Sequence, residues 1–332
     1  MKTAERTWSV LWPSITRYLT LKRALGRQYA NEERVLQSID EVLQRSAPAD
    51  LTAATFALWS QSLQHLTPTV RRNRMRIVRN YCLFRRRSES ECFVPDLLLF
   101  PAPHQSVRPY IFTKDEIVRL LAAARRLGPV NGSPLRAQVY SLAIVLLYTT
   151  GLRRGELTKM TLGDYDAKQR TLFIRQTKFH KSRYLPLSAD GAHEVERYCR
   201  ARRAHHLPLC PETPLIWNRY SKHRYFTGTG LAQGIRKLLC KAGIRKPDGR
   251  LPRIHDLRHT FAVHALLRWY EAGADVQAKL PLLATYMGHV SIVSTEYYLP
   301  FIEPLASAAC ARFAQRYGAL ISTSAKQKGS PQ

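Results

Sequence analysis

Residues 137–149 read AQVYSLAIVLLYT, and residues 150–157 continue TGLRRGEL. The first run is apolar almost all round, the composition of a helix buried at the centre of a domain. Gly151 ends that helix and Arg153 opens the next, which sets a guanidinium at the rim of the core with Glu156 one turn on to hold it. Taken alone, Arg153 and Glu156 also read as an exposed ion pair.

Working outward, Thr113 and Glu116 form the T-x-x-E capping pattern, which predicts a helix through Ile117, Leu120, Leu121 and Ala124 that stops near Gly128. Downstream, TLFIR (171–175) and RYLPL (183–187) are β-prone runs joined by QTKFHKS, a small hairpin with Lys178 and Lys181 in its loop. Helical patterns resume from about residue 190. The fold class that follows is mainly α with a small antiparallel β-sheet (α+β).

Upstream lies PAPHQSVRP, where Pro101, Pro103 and Pro109 allow neither helix nor strand, so residues 101–110 read as a linker. It divides a helical domain, 1–100, from a second domain, 111–318, with a polar and frayed tail at 319–332. In the first domain Leu36, Ile39 and Leu43 keep helical spacing, and Thr67-Pro68 starts another helix with Thr67 as N-cap. On that helix Arg72, Arg76 and Arg79 recur at i, i+4, i+7, joined by Arg71 and Arg74, while Val70, Val78 and Tyr81 are expected to face inward. A solvated stripe is one reading of this face. With Arg85, Arg86 and Arg87 following, contact with phosphates is the reading preferred.

The chain has 332 residues, with 52 Lys+Arg against 24 Asp+Glu, for a formal charge of +28. Both parts are basic, +7 over residues 1–107 and +21 over 108–332. With 45% hydrophobic residues the chain buries a core, so it is no disordered basic tail. Such a charge surplus calls for a polyanion, nucleic acid before membrane. No run approaches the ~18 apolar residues of a spanning helix. The start, MKTAERTWSV, lacks the order of a secretory signal, so a cytoplasmic, nucleoid-associated protein is expected. Six scattered cysteines with no C-x-x-C pair read as buried or idle thiols. There is no G-x-x-x-x-G-K-[ST] loop and hence no sign of nucleotide hydrolysis.

Besides TGLRRGEL, two segments concentrate groups suited to a phosphate: HDLRHT (255–260), and Gly288-His289 followed by Tyr298. His255 and His259 stand at i, i+4 like a zinc helix, but Arg258 would set a cation beside the metal and no third ligand stands out, so no metal and no cofactor are expected. The alternative for His259 and His264 is a histidine satisfied inside the core. Tyr297 and Tyr298 are adjacent, so on a helix only one of them can face a given phosphate, and composition does not choose between them.

In this order, TGLRRGEL, HDLRHTFA and the interval from Gly288-His289 to Tyr298 resemble the tyrosine recombinase (phage integrase) family, whose signature is Arg, Lys, His-x-x-Arg, His or Trp, then Tyr. The resemblance covers residues 110–318. It implies that Arg153 is the first arginine, Lys178 the hairpin lysine, His255 and Arg258 the H-x-x-R pair, His289 the second histidine and Tyr298 the nucleophile. Residues 1–100 resemble the family's core-site DNA-binding domain in size, helicity and basicity. The 31-residue interval from Arg258 to His289 is longer than in simpler members. Its extra residues, within LLRWYEAGADVQAKLPLLATYMGH, resemble the branch carried by transposons, including recombinases grouped in trios.

The chemistry fits these roles. Two arginines suit the extra charge on the non-bridging oxygens of a phosphodiester under attack. The leaving 5′ oxygen needs a proton, supplied by Lys178 with Lys181 as competitor. His255 can accept the phenol's proton, since a Tyr pKa of ~10 leaves little phenolate at neutral pH. His289 is a donor to a non-bridging oxygen. Pro304 begins a last helix with Leu305, Ala309, Phe313 and Tyr317 in a stripe, which packs either on its own domain or on a neighbouring protomer.

The expected function is therefore a site-specific DNA recombinase or integrase that cuts and rejoins strands through a covalent 3′-phosphotyrosine, for integration, excision or transposition. The resemblance implies a homo- or hetero-tetramer on double-stranded DNA. Alternatives are a type IB topoisomerase-like relaxing enzyme and a catalytically inactive DNA-binding accessory.

Overall fold

The computed structural model describes residues 8–46, 50–102, 108–130, 133–175, 182–217 and 225–288. The chain divides into two compact units, 1–107 and 108–332.

The first unit is built on four helices, α1 (Trp12–Ala24), α2 (Ala30–Ser46), α3 (Ala53–Ser62) and α4 (Pro68–Arg85). Leu36, Ile39 and Leu43 are buried, as their spacing predicts, against Phe56 and Trp59 of α3 and Val78 and Tyr81 of α4. The Trp59 indole donates to Ser38 Oγ at 3.0 Å, which satisfies the polar edge of a fully buried ring. Pro68 starts α4 as expected, but Thr67 caps it by position alone, without a side-chain hydrogen bond.

Two expectations for α4 need correction. Val70 is exposed, because the inward stripe runs through Met75, Val78 and Cys82, and that phase reaches back to Arg71 instead. Accordingly Arg71 Nε is buried without a hydrogen-bond partner. Arg85 is no part of a cationic surface. It is buried, forks onto Asp50 at 2.7 and 2.9 Å, and also pairs with Glu89.

In the second unit α5 (Lys114–Arg125) carries the full capping box: Glu116 N donates to Thr113 Oγ1 and Thr113 N to Glu116 Oε2. It ends three residues before Gly128, at Arg125 with Arg126 as C-cap. The apolar run becomes α6 (Arg136–Thr150), on which α5, α8 (Ala189–Ala204) and α10 (Asp256–Glu271) pack. Leu142, Ala143, Ile144 and Leu146 are each fully buried, which explains a helix with no polar face.

The hairpin forms as β2 (Thr171–Ile174) and β3 (Arg183–Pro186), antiparallel, with Leu172 opposite Leu185 and Ile174 opposite Arg183. A two-residue strand, β1 (Tyr165–Asp166), adds to β2 and makes a three-stranded sheet of order β1-β2-β3. Pro186 sits on the edge strand, where its missing N–H costs no ladder bond.

Helices α7 (Arg154–Lys159), α9 (Gly228–Lys241) and α11 (Val276–Met287) are the remaining α-helices among the described residues. The long interval after Arg258 is filled by the rest of α10, a short turn and α11, whose Leu280, Leu283 and Met287 pack on Ala262, Val263 and Leu266. No helix among the described residues is long and apolar enough to cross a membrane. Cys82 and Cys92 are buried free thiols, Cys199 is half-buried, and Cys210 and Cys240 are exposed; Cys310 lies outside the described residues.

Candidate active site

The site begins at the C-terminal end of α6. Gly151 adopts φ +63°, which a residue with a side chain rarely tolerates, and a Cβ there would come within 2.5 Å of the Phe261 ring. This turn aims the Gly151 carbonyl at α10, where Arg258 donates to it through Nη1. Arg258 is 1% exposed, and its Nη2 donates to the Met287 carbonyl at 2.7 Å. A buried guanidinium is thus held rigid by two backbone oxygens from opposite sides.

Arg153 caps α7. Its Nη2 donates to the Gly288 carbonyl at 2.7 Å, one residue beyond the oxygen used by Arg258. The two arginines therefore meet at the C-terminal end of α11, where carbonyls without helical partners and the negative end of the helix dipole attract cations. Gly288 ends that helix at φ +67°. A Cβ on it would lie 2.8 Å from Arg183 Nη1 and 3.3 Å from Arg153 Nη1, so the cluster closes only around glycine.

Glu156 is the acid at the centre of this basic cluster. It accepts from Arg153 N and Arg153 Nη1, each at 2.9 Å, and from Arg183 Nη1 and Nη2 at 3.2 and 3.0 Å. Burial opposes its charge, but hydrogen bonds and the charge of Arg183, followed by Arg153, hold its carboxyl below the usual range. Glu156 is 8% exposed, so of the two sequence readings the positioning one fits and the exposed ion pair does not.

His255 opens α10 at its N-cap, and its carbonyl accepts from the Arg258 and His259 amides. The turn is pinned by buried Asp256, which accepts from Arg253 N at 2.7 Å and Arg253 Nη2 at 3.1 Å. The His255 and His259 rings meet edge to face, centroids 4.7 Å apart. Surrounding protein, then His259 and the Arg258 and Arg253 charges, push His255 down to about 4; burial pushes His259 down to about 4 as well, with Asp256 opposing. Both are neutral at pH 7, and His255 is the exposed one of the pair. His264, half-buried, lies within hydrogen-bonding distance of the Tyr148 hydroxyl, 3.3 Å.

A cleft of about 570 Å³ opens beside these groups, lined by Arg153, Arg154, Arg236, Arg253 and His255 among others, and none of its described lining residues is a carboxylate. Its shape and sign suit a polyanion.

Of the residues singled out in the sequence, Arg153, His255 and Arg258 come together here. Lys178, its competitor Lys181, His289, Tyr297, Tyr298 and the helix expected from Pro304 lie outside the described residues. In the first unit Arg72 and Arg79 donate to the Pro101 and Pro95 carbonyls, Arg74 is half-buried, and Arg76 is exposed. Sequence reasoning missed Arg183, which reads as one residue of a β-prone run; its partners, Glu156 and Tyr286, are remote in sequence.

Residues 111–300 match the phage integrase family. The chain belongs to that family. Over 306 residues, 92% of this chain and 97% of the other, it is 31% identical to a Sinorhizobium fredii protein described as an integrase/recombinase, y4rB. It is 33% identical to the tyrosine recombinase XerC 2 of Ralstonia nicotianae over 188 residues, 57% of this chain and 48% of that one. Among solved structures, lambda integrase (75–356), a dimer bound to a COC′ core site, matches with TM-score 0.59 at 16% identity over 86% of this chain and 94% of that one. The XerH recombinase bound to a palindromic difH substrate matches with TM-score 0.57 at 18% identity over 79% and 72%. The helical fold with its small antiparallel sheet is thus that of tyrosine recombinases, and the family's reaction, site-specific DNA recombination, is this enzyme's class of activity.

Proposed function

We propose that this tyrosine recombinase uses Tyr298 as nucleophile on a DNA phosphodiester held by Arg153 and Arg258. The observation that carries the reading is the donation of these two arginines to consecutive carbonyls, Gly288 and Met287, with Arg153 and His255 both lining a cationic cleft. The Tyr298 hydroxyl attacks phosphorus, the phenol proton passes to His255, and the P–O5′ bond breaks as Lys178 protonates the leaving oxygen. A 3′-phosphotyrosine and a free 5′-hydroxyl result. Attack by the 5′-hydroxyl of another strand reverses these steps, and the ester conserves the bond energy, so no nucleotide is consumed. His289 donates to a non-bridging oxygen.

The partner is double-stranded DNA, with residues 1–100 as a clamp whose Arg72, Arg74, Arg76 and Arg79 meet phosphates, residues 101–110 as linker and residues 111–318 as the catalytic domain. Charge supports this, as do the neighbours: lambda integrase has been solved as a tetramer bound to a Holliday junction. A tetramer on two sites, homomeric or with related recombinases, is the assembly proposed. It acts on the cytoplasmic nucleoid, and the long Arg258–His289 interval supports a role in moving a transposable element.

The test is a supercoiled plasmid with two copies of the element's end sequence. Wild type should yield recombinant circles and Tyr298→Phe none. Relaxation without recombinants, on plasmids with or without the sites, would establish the topoisomerase-like alternative; binding with neither product would establish the accessory one.

A further inference from the structure

Three successive carbonyls at the end of α11 each receive a different arginine: Tyr286 from Arg183 Nε at 2.8 Å, Met287 from Arg258, and Gly288 from Arg153. Arg183 is the one with no part in the proposed chemistry. It is 12% exposed, and all three of its guanidinium nitrogens are engaged, two of them on Glu156. Glu156 in turn holds both the backbone and the side chain of Arg153. A second tie joins the same strand and helix, because the Tyr286 hydroxyl donates to the Pro186 carbonyl at 3.2 Å, so β3 is fixed to the last turn of α11 at both of its ends.

We infer that Arg183 is a positioning residue for transesterification, which clamps Glu156 to the end of α11 and so fixes the Arg153 guanidinium against the scissile phosphate. Lysine cannot replace it, since one ammonium on a flexible stem does not span a carboxylate and a carbonyl in fixed fork geometry. Without the fork, Glu156 keeps only Arg153 and pulls that guanidinium out of register. A displacement of about 1 Å at a reacting centre costs on the order of 100-fold in rate.

This inference rests on the proposed role of Arg153, and the experiment separates the two. Single-turnover covalent complex formation by the full chain is measured on a nicked suicide duplex. Two scissile groups are compared: the natural phosphodiester, and a methylphosphonate in which one charged oxygen is replaced by a methyl group. The variants are Arg183→Met, Arg183→Lys, Arg153→Met and the double Arg153→Met/Arg183→Met. If Arg183 acts through Arg153, both Arg183 variants lose on the order of 10- to 100-fold on the phosphodiester. The double variant is then no slower than Arg153→Met, and the losses shrink on the methylphosphonate, where less charge needs a guanidinium.

Equal losses on both substrates that multiply with the loss from Arg153→Met, or an Arg183→Met enzyme as fast as wild type, would overturn it. If Arg183→Met does not fold, Arg183→Lys and the double variant built with it carry the same comparison. Absence of any complex with wild type would instead overturn the reading of the site itself.

Discussion

Arg153 and Arg258, far apart in the chain, donate to the carbonyls of neighbouring residues, Gly288 and Met287, and so share one helix end. Each guanidinium is built before any substrate arrives, which is how an enzyme avoids reorganising charge during reaction. Replacing either with lysine should lower the rate of covalent complex formation about 100-fold while DNA affinity stays within a few-fold, because one preorganised donor is worth roughly 3 kcal/mol at the transition state. Single-turnover rates beside anisotropy titrations check this.

Gly288→Ala should be more damaging than Gly249→Ala. Both glycines have positive φ, +67° and +77°, so each substitution carries a backbone cost of about 1–3 kcal/mol. A Cβ at Gly249 meets nothing within 4 Å, whereas at Gly288 it meets Arg183 and Arg153. Urea unfolding of both variants should show the larger loss for Gly288→Ala, and only that variant should also lose cleavage.

Much of this arrangement was legible in the sequence. Gly151 and Arg153 announce themselves at a helix boundary, where local rules are strong, and the H-x-x-R pair through the resemblance of HDLRHTFA to the family motif. The capping box at Thr113 and the apolar run of α6 are similarly local. What escaped depends on distant partners or on phase. Arg183 has its meaning only through Glu156 and the Tyr286 carbonyl; Arg85 looked like surface charge because Asp50 lies far back in the chain; and β1, two residues long, has no periodicity to read. Val70 was misplaced because one residue of phase on α4 turns a side chain by about 100°.

Stability should fall with acid between pH 6.5 and 4. His255 and His259 are each pushed down to about 4, so in this window the unfolded chain binds protons that the folded one does not. The histidine contribution is fully present above about 6.5 and lost as pH falls toward 4. His259, 9% exposed, carries the larger share, because water still solvates the open side of His255. Denaturant midpoints across this range should flatten more in His259→Gln than in His255→Gln.

DNA binding should weaken steeply as salt rises. A chain of net charge +28 that neutralises phosphates releases counterions, and the slope of log K against log salt is about −0.9 per phosphate contacted. Arg76→Ala, at an exposed position of α4, should reduce that slope by about one. Titrations at several salt concentrations measure both, and a flat response would contradict the assignment of DNA as partner.

The most direct test uses a duplex nicked close to the crossover, so that the short strand released on cleavage diffuses away and the covalent complex is trapped. Wild type should give a denaturant-resistant protein–DNA band, Tyr297→Phe should retain it, and Tyr298→Phe should abolish it while still binding the duplex. A band that persists in Tyr298→Phe, or that is missing from wild type bound to DNA, would contradict the account.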